Sequence, residues 1–151
     1  MSRRLKAASE LLDEARALSG DFDRLSQAVA DRVGLSPTDL LAMDLITRHG
    51  QMTAGQLARE LQLTTGAITG LVDRLQKAGY VRRVADPDDR RRVFVRATAK
   101  ESKVGELYRP LASGLRRAIE GYSEHELAML TEFIRRLRSA VGGTIEGVRR
   151  G

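Results

Sequence analysis

The spacing of apolar side chains changes from three-four to two once along this chain, between residues 80 and 97. There "YVRRVA" and "VFVRA" alternate as strands do. The "DPDD" between them is turn chemistry, since proline fixes φ and aspartate side chains bond back to the backbone. A chain of helical periods with one interruption of this kind is restricted to a mainly α fold carrying a small β-hairpin.

The helical periods divide at readable caps. Leu5, Ala8, Leu12, Ala15, Phe22, Leu25 and Val29 hold one register across Ser19 and Gly20, which predicts a first helix over about 5–32 with a weak point at Gly20. Ser36 as N-cap, Pro37 at the first helical position and Asp39 in the first turn open a second helix that runs to about His49 and stops at Gly50. Thr53 and Gln56 have capping-box spacing and start a short helix through Leu61. After a tight connection, another helix begins near Thr65, sets Ile68, Leu71, Val72 and Leu75 on one face, and ends at Gly79. Beyond the hairpin a long helix is expected from Thr98, spaced from Glu101 as a further capping box, with Pro110 inside it. The last helix opens at Ser123 and carries Leu127, Leu130, Ile134, Leu137, Val141, Ile145 and Val148 at nearly heptad spacing.

Composition removes several classes of function. The 151 residues include no cysteine, which excludes disulfides, thiolate metal sites and thiol switches. The histidines, His49 and His125, lie far apart, and no Gly-rich phosphate loop or Gly-flanked serine accompanies them, so nothing pairs a nucleophile with a base. No enzyme, cofactor or metal is expected, and His49 reads as a cation-capable group at a helix C-terminus. The basic but charge-mixed N-terminus is neither a signal peptide nor a membrane span, which predicts a cytoplasmic protein with no membrane partner. Net charge is +6, and residues 64–100 alone carry +5. That quarter is where a polyanion would dock.

A short helix, a tight connection, a second helix and a hairpin form a helix-turn-helix with a wing, whose second helix enters the major groove of double-stranded DNA. Its candidate contacts are Thr64, Thr65, Gly66, Thr69, Gly70, Asp73 and Arg74. Small residues allow close approach, and threonine can meet a phosphate, a base edge or a thymine methyl. The alternative is that the glycines serve tight packing against a neighbouring helix and the threonines are caps. At the wing tip Arg90, Arg91 and Arg92 have the reach to enter a minor groove. Asp86, Pro87 and Asp88 shape the turn, and Asp89 is expected to hold the Arg91 guanidinium in one pose. Arg82, Arg83, Arg92 and Arg96 are placed for phosphates. Two other readings of the wing stay open: a Mg²⁺ site on Asp86, Asp88 and Asp89, thin in ligands, and a solvated charge run.

The seams of the first and last helices exceed what they can cover alone. Leu5, Ala8, Leu12 and Ala15, with Leu130, Ile134, Leu137, Val141 and Ile145, are therefore the candidate interface with a second copy, unless they bury each other within one monomer. The expected organisation is a dimerisation helix over 1–35, a winged helix-turn-helix lobe over 36–99 and dimerisation helices over 100–151.

The run "GAITGLVDRLQKAGYVRRVADPDDRRRVFVRAT" resembles the MarR family of winged-helix transcriptional regulators. The resemblance is carried by Asp73, Arg74, Leu75, Gly79, Val81, Arg83, Asp86, Pro87, Asp89, Arg90 and Arg91. It implies a homodimeric repressor on a pseudo-palindromic operator, released by a small-molecule effector bound between the dimer region and the DNA-binding lobe. Ala97 and Thr98 stand where relatives commonly have a Leu-Thr pair and then a Gly, so no ligand contact is carried over to the start of the long helix. The competing expectation is a winged-helix protein-interaction module that binds no DNA, against which the concentrated wing charge speaks.

Overall fold

The computed structural model describes residues 2–89 and 91–150, apart from the side chain of Arg149. Helix α1 spans Arg3–Val33, capped by the Ser2 hydroxyl and ended by Gly34 at φ +69°. It passes through Gly20 without a break, because one interior glycine costs only about 1 kcal/mol relative to alanine. The ion pairs Arg16–Asp13 and Arg24–Asp21 support the turns on either side.

Helix α2 covers Pro37–His49 and opens with a complete capping box, in which Ser36 and Asp39 each accept the other's backbone N–H. Strand β1, Met52–Thr53, leads into α3, Ala54–Leu61, through the reciprocal cap of Thr53 and Gln56. Helix α4 spans Thr65–Lys77. The hairpin strands β2, Val81–Ala85, and β3, Val93–Ala97, follow it in antiparallel register with Val84 opposite Phe94. The sheet has three strands in the order β1-β3-β2, with Met52 opposite Val95. A two-residue strand has no period to read, which is why the sequence shows only a hairpin.

Helix α5 runs over Glu101–Ile119 with Pro110 inside it, and α6 over Glu124–Arg150. The capping box that the spacing of Thr98 and Glu101 predicts does not form, because the Thr98 N–H donates to the Tyr80 carbonyl at 2.9 Å. The Thr98 hydroxyl accepts the Lys100 N–H at 3.2 Å just before α5 and donates to the carbonyl of Gly79 at 2.7 Å, so it ties the end of β3 to the end of α4. Lys100 reinforces this joint by donating to the Ala78 carbonyl at 2.8 Å while its ammonium sits 4.6 Å from the Tyr80 ring centroid. A cation there also complements the negative end of α4.

The chain divides within α5 into two compact units, one up to Leu107 and one from Tyr108. The first contains the buried core. Leu40, Met43 and Ile46 of α2, Leu57 of α3, and Ile68, Leu71, Val72 and Leu75 of α4 close over Val81 and Val95 of the sheet. Val29 and Ala30 at the end of α1 and Val104 of α5 join them, so this core draws on residues outside 36–99. In the second unit Ile134, Val141, Ile145 and Val148 of α6 are exposed. Among the described residues no helix is long and apolar enough to cross a membrane.

One carboxylate crosses the lobe. Asp39, 3% exposed, accepts the N–H of Ser36 on Oδ2 and an Nη2–H of Arg74 on Oδ1 at 2.9 Å, so the N-terminus of α2 is bolted to α4. Asp39→Ala removes half of a capping box and a charge-assisted bond together, and is expected to cost about 2–4 kcal/mol in urea denaturation. In the second unit, the Ser123 hydroxyl and backbone N–H both bond Glu126 and hold its carboxyl below the usual carboxylate range. The ionised form is the one bound. This part of the α6 cap is thus present above the ordinary glutamate value and is lost as pH falls through the lowered one. Acid titration of helicity at 222 nm should show the loss, and Glu126→Gln should remove that component.

Candidate nucleic-acid interface

Helix α4 has one buried face, Ile68, Leu71, Val72 and Leu75, and its opposite side is open to solvent at Thr65, Gly66, Thr69 and Asp73. Burial of the first face fixes the second outward, since residues three and four apart share a side. Gln62, at φ +54°, turns the chain between α3 and α4, and Thr64 caps α4 by accepting the Ala67 N–H at 3.2 Å.

The open face is smooth by composition. A Cβ added at Gly66 would meet nothing within 4 Å, and one at Gly70 would meet only the flexible end of Arg74 at 3.8 Å. Neither glycine is therefore required for packing against a neighbouring helix, the other reading the sequence left open. The Thr69 hydroxyl donates to the Thr65 carbonyl at 2.8 Å. Its proton is thus committed, and the oxygen offers lone pairs, with the methyl beside them, to whatever approaches.

The arginines assigned to this interface separate into two groups. Arg74 is held by Asp39, as described. Arg83 donates to Asp73 at 2.7 Å and to Gln76, so two of the predicted contacts, Asp73 and Arg83, bind each other and clamp β2 to α4. Arg92 lies 3.9 Å from Asp86 and 4.8 Å from the Phe94 ring centroid. Arg82 and Arg91 are exposed and have no carboxylate partner among the described residues. Arg90 lies outside the described residues.

The acids of the wing act on its backbone. Asp86 Oδ1 accepts the Asp88 N–H at 2.9 Å, and Asp89 Oδ1 accepts the Arg91 N–H at 3.0 Å. The Asp86 N–H donates to the Arg92 carbonyl at 2.9 Å, and the Arg92 N–H to the Asp89 carbonyl at 2.8 Å, which closes the loop. The expected Asp89–Arg91 side-chain pair is therefore corrected: Asp89 takes the Arg91 backbone, the nearer donor, and leaves the guanidinium in solvent. Among the described residues no group of three acids or histidines could hold a metal ion.

Sequence reasoning missed the partners that are distant in the chain. In the sequence Asp39 shows only as a first-turn acid, because its bond to Arg74 spans 35 positions. Gln51, which accepts from Arg96 Nε at 2.6 Å, carried no signal at all.

The model of the MarR family matches residues 35–93. The chain is 46% identical over 109 residues to the HTH-type transcriptional regulator YcgE of Bacillus subtilis, covering 72% of this chain and 71% of that one. Its fold is similar to that of a MarR family protein from Bacillus stearothermophilus, with a TM-score of 0.69, 23% identity, and coverage of 94% of this chain and 99% of the other. A mutant of S. aureus MepR bound to an oligodeoxyribonucleotide has the same fold, with a TM-score of 0.61, 18% identity, and coverage of 89% and 97%.

The empty space over Gly66 yields a two-sided expectation. Gly66→Ala should leave the lobe as stable in urea or up to about 1 kcal/mol more stable, through helix propensity alone. If this open face is the one that meets duplex DNA, the same variant should bind DNA more weakly, because the added methyl stands on it. A loss of stability would show instead that the glycine serves the fold.

Proposed function

The chain belongs to the MarR family of transcriptional regulators and is a DNA-binding regulator; from that premise we propose that it acts as a homodimeric, ligand-responsive repressor on a pseudo-palindromic operator. The observation that carries the reading is the solvent-open face of α4 at Thr65, Gly66 and Thr69, flanked by a wing whose exposed Arg91 has no carboxylate partner among the described residues. Thr65 and Thr69 would meet base edges or phosphates in a major groove, with Gly66 and Gly70 letting the helix sit close. Arg91, together with Arg90 from the sequence, would reach the adjacent minor groove. Arg74, Asp73 and Arg83 would serve by fixing α4 and the wing in one relation before DNA arrives. The S. aureus MepR mutant bound to an oligodeoxyribonucleotide supports DNA as the partner of this fold.

Exposed seams support the homodimer. Leu5 is 61% exposed, Leu12 51%, Ile134 49% and Val141 59%. Pairing of Leu5, Ala8, Leu12 and Ala15 in α1, and of Leu130, Ile134, Leu137, Val141 and Ile145 in α6, with a second copy would cover these side chains. Two-fold symmetry would then set two α4 helices about 34 Å apart, one turn of duplex. A small-molecule effector would act by binding one dimer geometry better than the other, and repression would follow from occupying promoter DNA.

Analytical ultracentrifugation should give a species of twice 16.7 kDa at micromolar concentration. Ile134→Glu combined with Val141→Glu should yield a helical monomer that no longer binds operator selected from random duplexes. Arg91→Ala should leave the dimer folded and weaken operator binding about tenfold or more near 0.1 M salt. A selected sequence without two-fold symmetry would overturn the dimeric reading.

A further inference from the structure

Arg82 and Arg96 stand directly opposite each other across the β2–β3 ladder. Arg83 turns toward Asp73 and Gln76 on α4. Side chains alternate along a strand, so Arg82 and its cross-strand partner lie on the sheet face turned away from that helix. Like charges at directly opposed positions destabilise a sheet. Among the described residues this pair has no acid to offset it, whereas Arg74, Arg83 and Arg92 each have a carboxylate. Arg96 is pinned through its Nε by the neutral Gln51 at 2.6 Å, which orients the guanidinium without neutralising it. Phe94 shares this face, two residues along β3, with the Arg92 guanidinium 4.8 Å from its ring centroid.

We propose that this outer face of the wing sheet is a phosphate clamp, in which Arg82 and Arg96 together grip one phosphodiester of the DNA strand beside the wing. The inference rests on the DNA-binding reading above and adds a contact surface distinct from α4 and from the wing tip. Guanidinium forks suit the two free oxygens of a phosphodiester, and an anion held between the two offsets part of their mutual repulsion. The clamp carries no sequence information. It fixes how the wing leans on the backbone.

The test compares wild type, Arg82→Gln with Arg96→Gln, and Arg82→Lys with Arg96→Lys in salt titrations of operator binding, alongside thermal melting. In a homodimer the double Gln variant loses one phosphate contact per protomer, so its log-log salt slope should fall by about 1.8 and its affinity near 0.1 M salt by about 60-fold. It should melt no lower than wild type, because the repulsion is gone, and the Lys pair should restore most of the slope. An unchanged slope in the Gln variant, with wild type binding normally, overturns the clamp alone. A lower melting temperature with an unchanged slope shows a purely structural pair and also overturns it. Failure of wild type to bind any duplex in a salt-dependent way overturns the DNA reading itself, and the clamp with it.

Discussion

Asp39 has almost no contact with solvent, yet its two oxygens serve different elements: one completes the cap of α2, the other receives Arg74 from α4. The disposition of the lobe depends on this carboxylate. Apolar contacts at Leu71, Val72 and Leu75 hold α4 against the core without directional bonds. A directional bond from a buried acceptor to a planar guanidinium supplies the missing constraint. Arg83 does the same for the wing through Asp73 and Gln76, and Thr98 with Lys100 does it for the far end of α4.

These tethers change what the basic charge of the lobe can be used for. An excess of cations reads, in a sequence, as a single electrostatic footprint. In three dimensions it separates into arginines that position other elements and arginines that remain available. Arg74 and Arg83 hold helix and wing, whereas Arg82, Arg91 and Arg96 keep exposed guanidinium groups without carboxylate partners among the described residues. The wing acids belong to the first task as well. Asp86 and Asp89 accept backbone N–H groups and close the loop.

Apolar surface divides the chain in a comparable way. The lobe buries a complete aliphatic core, while α1 over most of its length and α6 leave leucines, isoleucines and valines in solvent. A lone chain has nothing to gain from such stripes, and their near-heptad spacing suits another helix rather than a flat partner.

Local chemistry determined much of this from sequence alone. The caps at Ser36 and Thr53, the stop at Gly79 and the change of period at Tyr80 each depend on residues within a few positions, so they are legible in a string of letters. The helix-turn-helix, the hairpin and the outward residues of α4 follow from them. Tertiary structure decided the rest: strand β1, the capture of Arg74 by Asp39, the bonds by which Thr98 ties the end of β3 to the end of α4, the neutral partner of Arg96, and the opposition of Arg82 to Arg96. Each of these joins groups far apart in the chain. Which of several competing donors reaches an acceptor is settled by distance after packing, and periodicity and propensity carry no information about that distance.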